Sequence, residues 1–122
     1  MKILIIDDDY DIREIASVSL RTLGHMEVTV AASGPDGLGK AAQERPDAIL
    51  LDMMMPGMDG PATLAALRRD PATASIPVIF LTGRPGEART EAEDQPGVAG
   101  VLAKPFDAVT LPARVRAILQ GR

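Results

Sequence analysis

Four polar groups stand at the ends of short apolar runs and are of types that could act on one substrate: Asp7-Asp8-Asp9, Asp52, Thr82 and Lys104. Two carboxylates about 4 Å apart repel by roughly 4 kcal/mol at an effective dielectric of 20. Gathering Asp7, Asp8 and Asp52 at one place therefore calls for a cation. Carboxylate oxygens with no cysteine or histidine beside them suit a hard ion, Mg²⁺ or Ca²⁺. Few protein ligands completed by water, with a phosphate as partner, favour Mg²⁺. A plainer use of three consecutive acids is to solubilise a turn and cap the next helix. Asp52 at the mouth of a buried strand is partly desolvated and can be a nucleophile; its plainer role is a turn residue. Thr82 before Gly83 could cap a helix, and Lys104 could be an ordinary surface lysine. Pro105 makes Lys104 more telling. It fixes the chain just past the strand and can aim the ammonium back over the site, a cis peptide being one way.

The elements that must position these groups follow from periodicity. Residues 3–6, 49–51 and 78–81 are continuous apolar runs, as expected of strands covered on both faces in a parallel sheet. Residues 28–32 and 98–102 are weaker, Ala-rich or Gly-interrupted, and suit the sheet edges. Ile12, Ile15, Ala16, Ser19, Leu20 and Leu23 follow helical spacing, with Asp11 and Glu14 as a capping box and Gly24 at C′. Leu38, Ala41 and Ala42 mark a second helix, stopped before Pro46. A third starts at the cap Asp59, with Pro61 in its first turn. The last carries Leu111, Val115, Ile118 and Leu119, capped by Thr110 with Pro112 in the first turn. Between residues 84 and 95 only Ala88 and Ala92 offer apolar groups at helical spacing, so a weakly packed, mobile helix is expected there. Alternating β and α elements imply a parallel sheet with helices on both faces and right-handed crossovers. Ligands then bind beyond the carboxyl ends of the strands, near the switch in strand order. All four polar groups fall there.

Composition bounds the function. The chain of 122 residues fits one domain, residues 1–122, and its 46% hydrophobic content is that of a globular protein. Aromatics are only 2%, which leaves few platforms for stacking bases, and a net charge of -4 opposes direct binding of nucleic acid or a membrane surface. The absence of cysteine excludes disulfides and thiol chemistry. The opening apolar run is too short for a signal peptide or a bilayer span. A soluble, cytoplasmic protein is expected.

The ordered set Ile3-Leu4-Ile5-Ile6-Asp7-Asp8-Asp9, Leu50-Leu51-Asp52-Met53-Met54-Met55-Pro56-Gly57-Met58-Asp59-Gly60, Pro77-Val78-Ile79-Phe80-Leu81-Thr82-Gly83 and Lys104-Pro105-Phe106 resembles the receiver domain of bacterial two-component response regulators over essentially the whole chain. The resemblance implies an α/β fold: a doubly wound, five-stranded parallel sheet in the flavodoxin-like order 2-1-3-4-5. It implies Mg²⁺ held by Asp8, Asp52 and the Met54 carbonyl, with Asp7 helping through water. Asp52 would take a phosphoryl group from the phosphohistidine of a sensor histidine kinase or histidine phosphotransfer protein. Lys104, the Thr82 hydroxyl and the Gly83 N–H would meet the phosphoryl oxygens. The domain would be a signalling device rather than an enzyme, acting only on its own phosphorylation. It would switch its output surface, around the strand-4 loop, the helix after it and strand 5, as Thr82 moves inward to bind an unidentified output protein.

Two departures stand out. Val101 replaces the aromatic that many members place three residues before the lysine, and Met54 and Arg84 occupy variable positions that flank the phosphoryl group in the family. Met53, Met54, Met55 and Met58 read as core filling and loop packing ahead of a plastic docking surface. His25 reads as a surface residue and Phe106 as an anchor for the turn after Pro105. A dehalogenase-type phosphatase would need an acid where Met54 stands, and a flavodoxin-like cofactor site would need a phosphate loop where the aspartates stand. The alternative carried forward is a pseudo-receiver, an interaction module that is never phosphorylated.

Overall fold

The computed structural model describes residues 1–83 and 95–121. Among them the elements run β1 (Lys2–Ile6), α1 (Tyr10–Thr22), β2 (Glu27–Ala31), α2 (Gly34–Glu44), β3 (Ala48–Asp52), α3 (Gly60–Arg69), β4 (Val78–Thr82), β5 (Val98–Ala103) and α4 (Leu111–Gln120). The five strands form one parallel sheet in the order β2-β1-β3-β4-β5. The expected doubly wound fold is thus present. The helix expected over residues 84–95 lies outside the described residues, save Gln95.

Continuous apolar runs became central strands because both faces of the sheet are covered. Along β1, Leu4 and Ile6 join Ile49, Leu51, Val78, Phe80, Leu64 and Leu67 in one cluster, roofed by α2 and α3. Ile3 and Ile5 join Leu50, Ile79, Leu81, Ala16, Leu20, Leu111 and Val115 in the other, roofed by α1 and α4. Each fully buried Ile or Leu contributes roughly 2 kcal/mol of transfer free energy, which favours this register over a slipped one. The weaker runs did take the edges: β2 and β5 are mostly half-buried, whereas every residue of β3 and β4 is buried.

The helix ends hold some corrections. Helix α1 is capped by Asp9, whose side chain accepts from the N–H groups of Asp11 and Ile12 at 2.9 and 3.4 Å. The Asp11–Glu14 capping box is therefore not formed, because the helix begins at Tyr10 and Asp11 already lies in its first turn. At the other end His25, not Gly24, is left-handed, with φ 56°. Gly24 is required instead by proximity, since a Cβ there would stand 2.6 Å from the Leu20 carbonyl oxygen. Ser33 caps α2, and its last turn closes on the left-handed Arg45 just before Pro46. Asp59 caps α3 as expected, accepting from the Ala62 N–H at 2.9 Å. Thr110 precedes α4 but makes no side-chain cap; its hydroxyl donates backward to the Asp107 carbonyl at 3.4 Å. No helix among the described residues is long and apolar enough to cross a membrane.

Candidate functional site

Parallel register carries the polar residues to one edge. Ile6 pairs with Leu51, and Asp52 pairs with Leu81, so Asp7, Asp52 and Thr82 emerge side by side from β1, β3 and β4. Strand β1 lies between β2 and β3, so the chain leaves it in opposite directions and a crevice opens at its carboxyl end. Asp7 is wholly buried and Asp52 is 3% exposed. Asp8 faces solvent. Carboxylate oxygens of all three nevertheless lie within 4.8 Å of one another.

Lys104 enters from β5. Its Nζ lies 3.0 Å from Asp7 Oδ2 and 3.1 Å from Asp52 Oδ1, a donor shared between two buried acids. The Lys104 backbone N–H donates to the Thr82 carbonyl at 2.8 Å, and the Lys104–Pro105 peptide is cis. Phe106 then packs against the cluster under α1 and α4, anchoring the turn as expected.

Burial pushes the Asp52 carboxyl up to about 6, from an ordinary 3.8. The neighbouring Asp7 charge pushes the same way. The Lys104 ammonium and the Met54 N–H, at 3.3 Å from Oδ1, only partly offset them. Lys104 is held above its ordinary 10.5: burial works against its charge, but hydrogen bonds to Asp7 and Asp52 and their negative charge outweigh it. Three carboxylates thus face one ammonium. An all-oxygen donor set with excess negative charge and an exposed member fits a hard divalent cation.

The remaining sequence-derived candidates are placed as follows. Thr82 ends β4 with 8% exposure. Gly83 is exposed, and a Cβ there would meet nothing within 4 Å, so space is open above it. Met54 reaches Asp52 through its backbone N–H, while its side chain is 77% exposed. Met53 and Met55 fill the core under α2 and α3. Val101 packs against that same cluster, and His25 is exposed.

Two contributors escaped the sequence reading. Gly60 lets α3 start against the acidic strand, because a Cβ there would stand 2.6 Å from the Asp52 carbonyl oxygen. Its N–H donates to the Met53 carbonyl at 3.0 Å. Arg13 turns back from α1, and its guanidinium donates to the Asp7 carbonyl at 2.9 Å. A glycine directly after a cap residue, and a cation one turn into the helix that follows the acids, were the available signals.

Known proteins resemble this chain in sequence and fold. Residues 3–116 match the family model of the response regulator receiver domain. The chain is 36% identical over 120 residues to the protein PilH of Pseudomonas aeruginosa, covering 98% of both. It is 42% identical to the DNA-binding dual master transcriptional regulator RpaA of a Synechocystis species, covering 98% of this chain but only 49% of that protein. It likewise spans 26% of the response regulator PleD of Caulobacter vibrioides, at 40% identity. Among solved structures, the chemotaxis response regulator CheY4 of Vibrio cholerae superimposes with a TM-score of 0.86 at 32% identity, over 96% of this chain and 97% of that one. The strand order, the acids at the strand ends and these likenesses agree: the chain belongs to the response regulator receiver family, the signalling domains of two-component systems.

Proposed function

We propose that this domain accepts a phosphoryl group on Asp52 from the phosphohistidine of a sensor kinase or histidine phosphotransfer protein. The observation that carries the reading is the Lys104 ammonium bridging Asp7 and Asp52 within a cluster of three carboxylates. Asp8, Asp52 and the Met54 carbonyl would hold Mg²⁺, with Asp7 assisting through water. Bound there, the ion would neutralise excess carboxylate charge and stabilise charge on the phosphoryl oxygens.

The chain's own residues do the rest. Lys104 and the Met54 N–H both address Oδ1 of Asp52, which leaves Oδ2 to attack phosphorus. The phosphorus–oxygen bond forms as the phosphorus–nitrogen bond breaks, and the imidazole nitrogen leaves with its electron pair. In the metal-free site burial makes the Asp52 carboxylate more basic than a solvated one, and a bound cation would lower that basicity while keeping it ionised for attack. Lys104, bonded to Asp52 Oδ1, would meet one oxygen of the new acyl phosphate, and the Thr82 hydroxyl and Gly83 N–H would donate to its remaining oxygens. Water later cleaves the acyl phosphate, returning Asp52 and inorganic phosphate. Thr82, drawn inward meanwhile, alters the surface offered to an output protein at the carboxyl end of β4. The domain works in the cytoplasm and is no enzyme toward other substrates.

Incubation with acetyl phosphate and Mg²⁺ tests this by intact mass. One added phosphoryl group is expected, absent in Asp52→Ala and absent with EDTA. An unmodified wild-type chain would instead support the pseudo-receiver reading.

A further inference from the structure

Among the three carboxylates, Asp8 is the exposed one, and what aims it is the backbone turn from which it projects. That turn is tied at several points. The Asp9 N–H donates to Asp7 Oδ1 at 2.9 Å, and Asp9 in turn caps α1. The third tie is Arg13, whose Nη1 lies 2.9 Å from the Asp7 carbonyl oxygen in a partly buried contact. That carbonyl belongs to the peptide joining Asp7 to Asp8, so a bond to it sets the plane from which Asp8 leaves the chain. The guanidinium is itself steadied from below by the Tyr10 ring, 5.7 Å from its centroid.

We infer that Arg13 is a positioning residue for the divalent-cation site, holding the Asp7–Asp8 peptide so that the Asp8 carboxylate stays beside those of Asp7 and Asp52. The inference rests on the Mg²⁺ reading above. It predicts a sign that electrostatics alone would reverse. Deleting a cation beside three carboxylates raises the local negative potential and, by charge alone, tightens Mg²⁺ binding. Deleting a strut that orients a ligand weakens it, typically by about tenfold or more.

Calorimetric titration of the whole chain with Mg²⁺ separates the two. Arg13→Ala and Arg13→Gln should bind Mg²⁺ about tenfold more weakly than wild type. Arg13→Lys, which keeps a charged donor able to reach the carbonyl, should restore most of the affinity. In the metal-free protein the backbone amide resonances of Asp8 and Asp9 should shift in Arg13→Ala and return toward wild type in Arg13→Lys. Equal or tighter Mg²⁺ binding by Arg13→Ala and Arg13→Gln, with wild type binding normally, overturns the inference alone. Failure of the wild-type chain to bind Mg²⁺ overturns the metal reading and the inference together.

Discussion

Replacing Asp52 by asparagine should make the metal-free protein more stable at neutral pH, although it removes a group bonded to Lys104. The folded-state pKa of about 6 lies above the ordinary 3.8, so the native state prefers the protonated form. The stability attached to that preference is fully present below pH 3.8 and is lost as pH rises through 6. A displacement of about two units at 1.36 kcal/mol each amounts to roughly 3 kcal/mol of native-state destabilisation once Asp52 is ionised. Asparagine stands in for the neutral carboxyl and escapes that cost. Urea denaturation followed by circular dichroism in EDTA should find Asp52→Asn more stable by about 2–3 kcal/mol at pH 7.5, a Tm higher by roughly 10 °C. The difference should shrink toward zero by pH 4, since every other carboxylate is common to both proteins. Mg²⁺ should narrow it from the other side by stabilising the wild type. A variant less stable than wild type at pH 7.5, or a gap that ignores pH, would refute the reasoning. Lys104 would then be compensating the buried charge in full.

Other consequences can be checked with the same tools. Lys104→Ala leaves Asp7 and Asp52 facing each other without their shared cation, and should cost about 3 kcal/mol at pH 7.5 in EDTA, with much of the loss recovered as Asp52 protonates. Urea titrations at two pH values would show it. Asp8→Ala, at an exposed position, should leave metal-free stability within about 0.5 kcal/mol while abolishing the rise in Tm that Mg²⁺ gives the wild type. Gly60→Ala puts a Cβ 2.6 Å from the Asp52 carbonyl oxygen and should destabilise by about 1–3 kcal/mol, displacing the Asp52 and Met53 amide resonances.

Much of this arrangement is legible in the sequence because a parallel sheet converts sequence position into spatial position. Each apolar run ends at the same edge, so Asp7, Asp52 and Thr82, and Lys104 after the weaker run 98–102, could be assigned to one site without coordinates. The poorer apolar content of residues 28–32 and 98–102 similarly marked the edge strands. What stayed hidden depends on turns and close approaches. Whether Asp9 or Asp11 caps α1 turns on where the chain first bends into a helix, and either acid could serve. That Asp7 is buried and Asp8 exposed follows from a single peptide orientation, invisible in a run of three identical residues. Gly60 and Gly24 look like ordinary punctuation until the atoms a Cβ would meet are known. Arg13 stands one turn past the acids, which hints at proximity, but its partner is a main-chain carbonyl that no side-chain pattern singles out.

The placement of Asp52 also explains why such a residue is tolerated at a strand end. Its neighbours Leu50 and Leu51 are fully buried, one in each core cluster, so the carboxylate sits where two apolar layers meet solvent. One residue earlier in β3 an acid would be desolvated on all sides, and its neutral form would prevail at physiological pH. One residue later, at the position of Met53, it would turn into the core cluster under α2 and α3 and lose the Lys104 contact. At its actual position burial raises the pKa, while Lys104 and the Met54 N–H keep it low enough for the ionised form to dominate at pH 7. Reactivity and instability therefore share one cause, partial desolvation of a charge. Any change that relieves the strain on the metal-free fold should also reduce the affinity of the cluster for a cation.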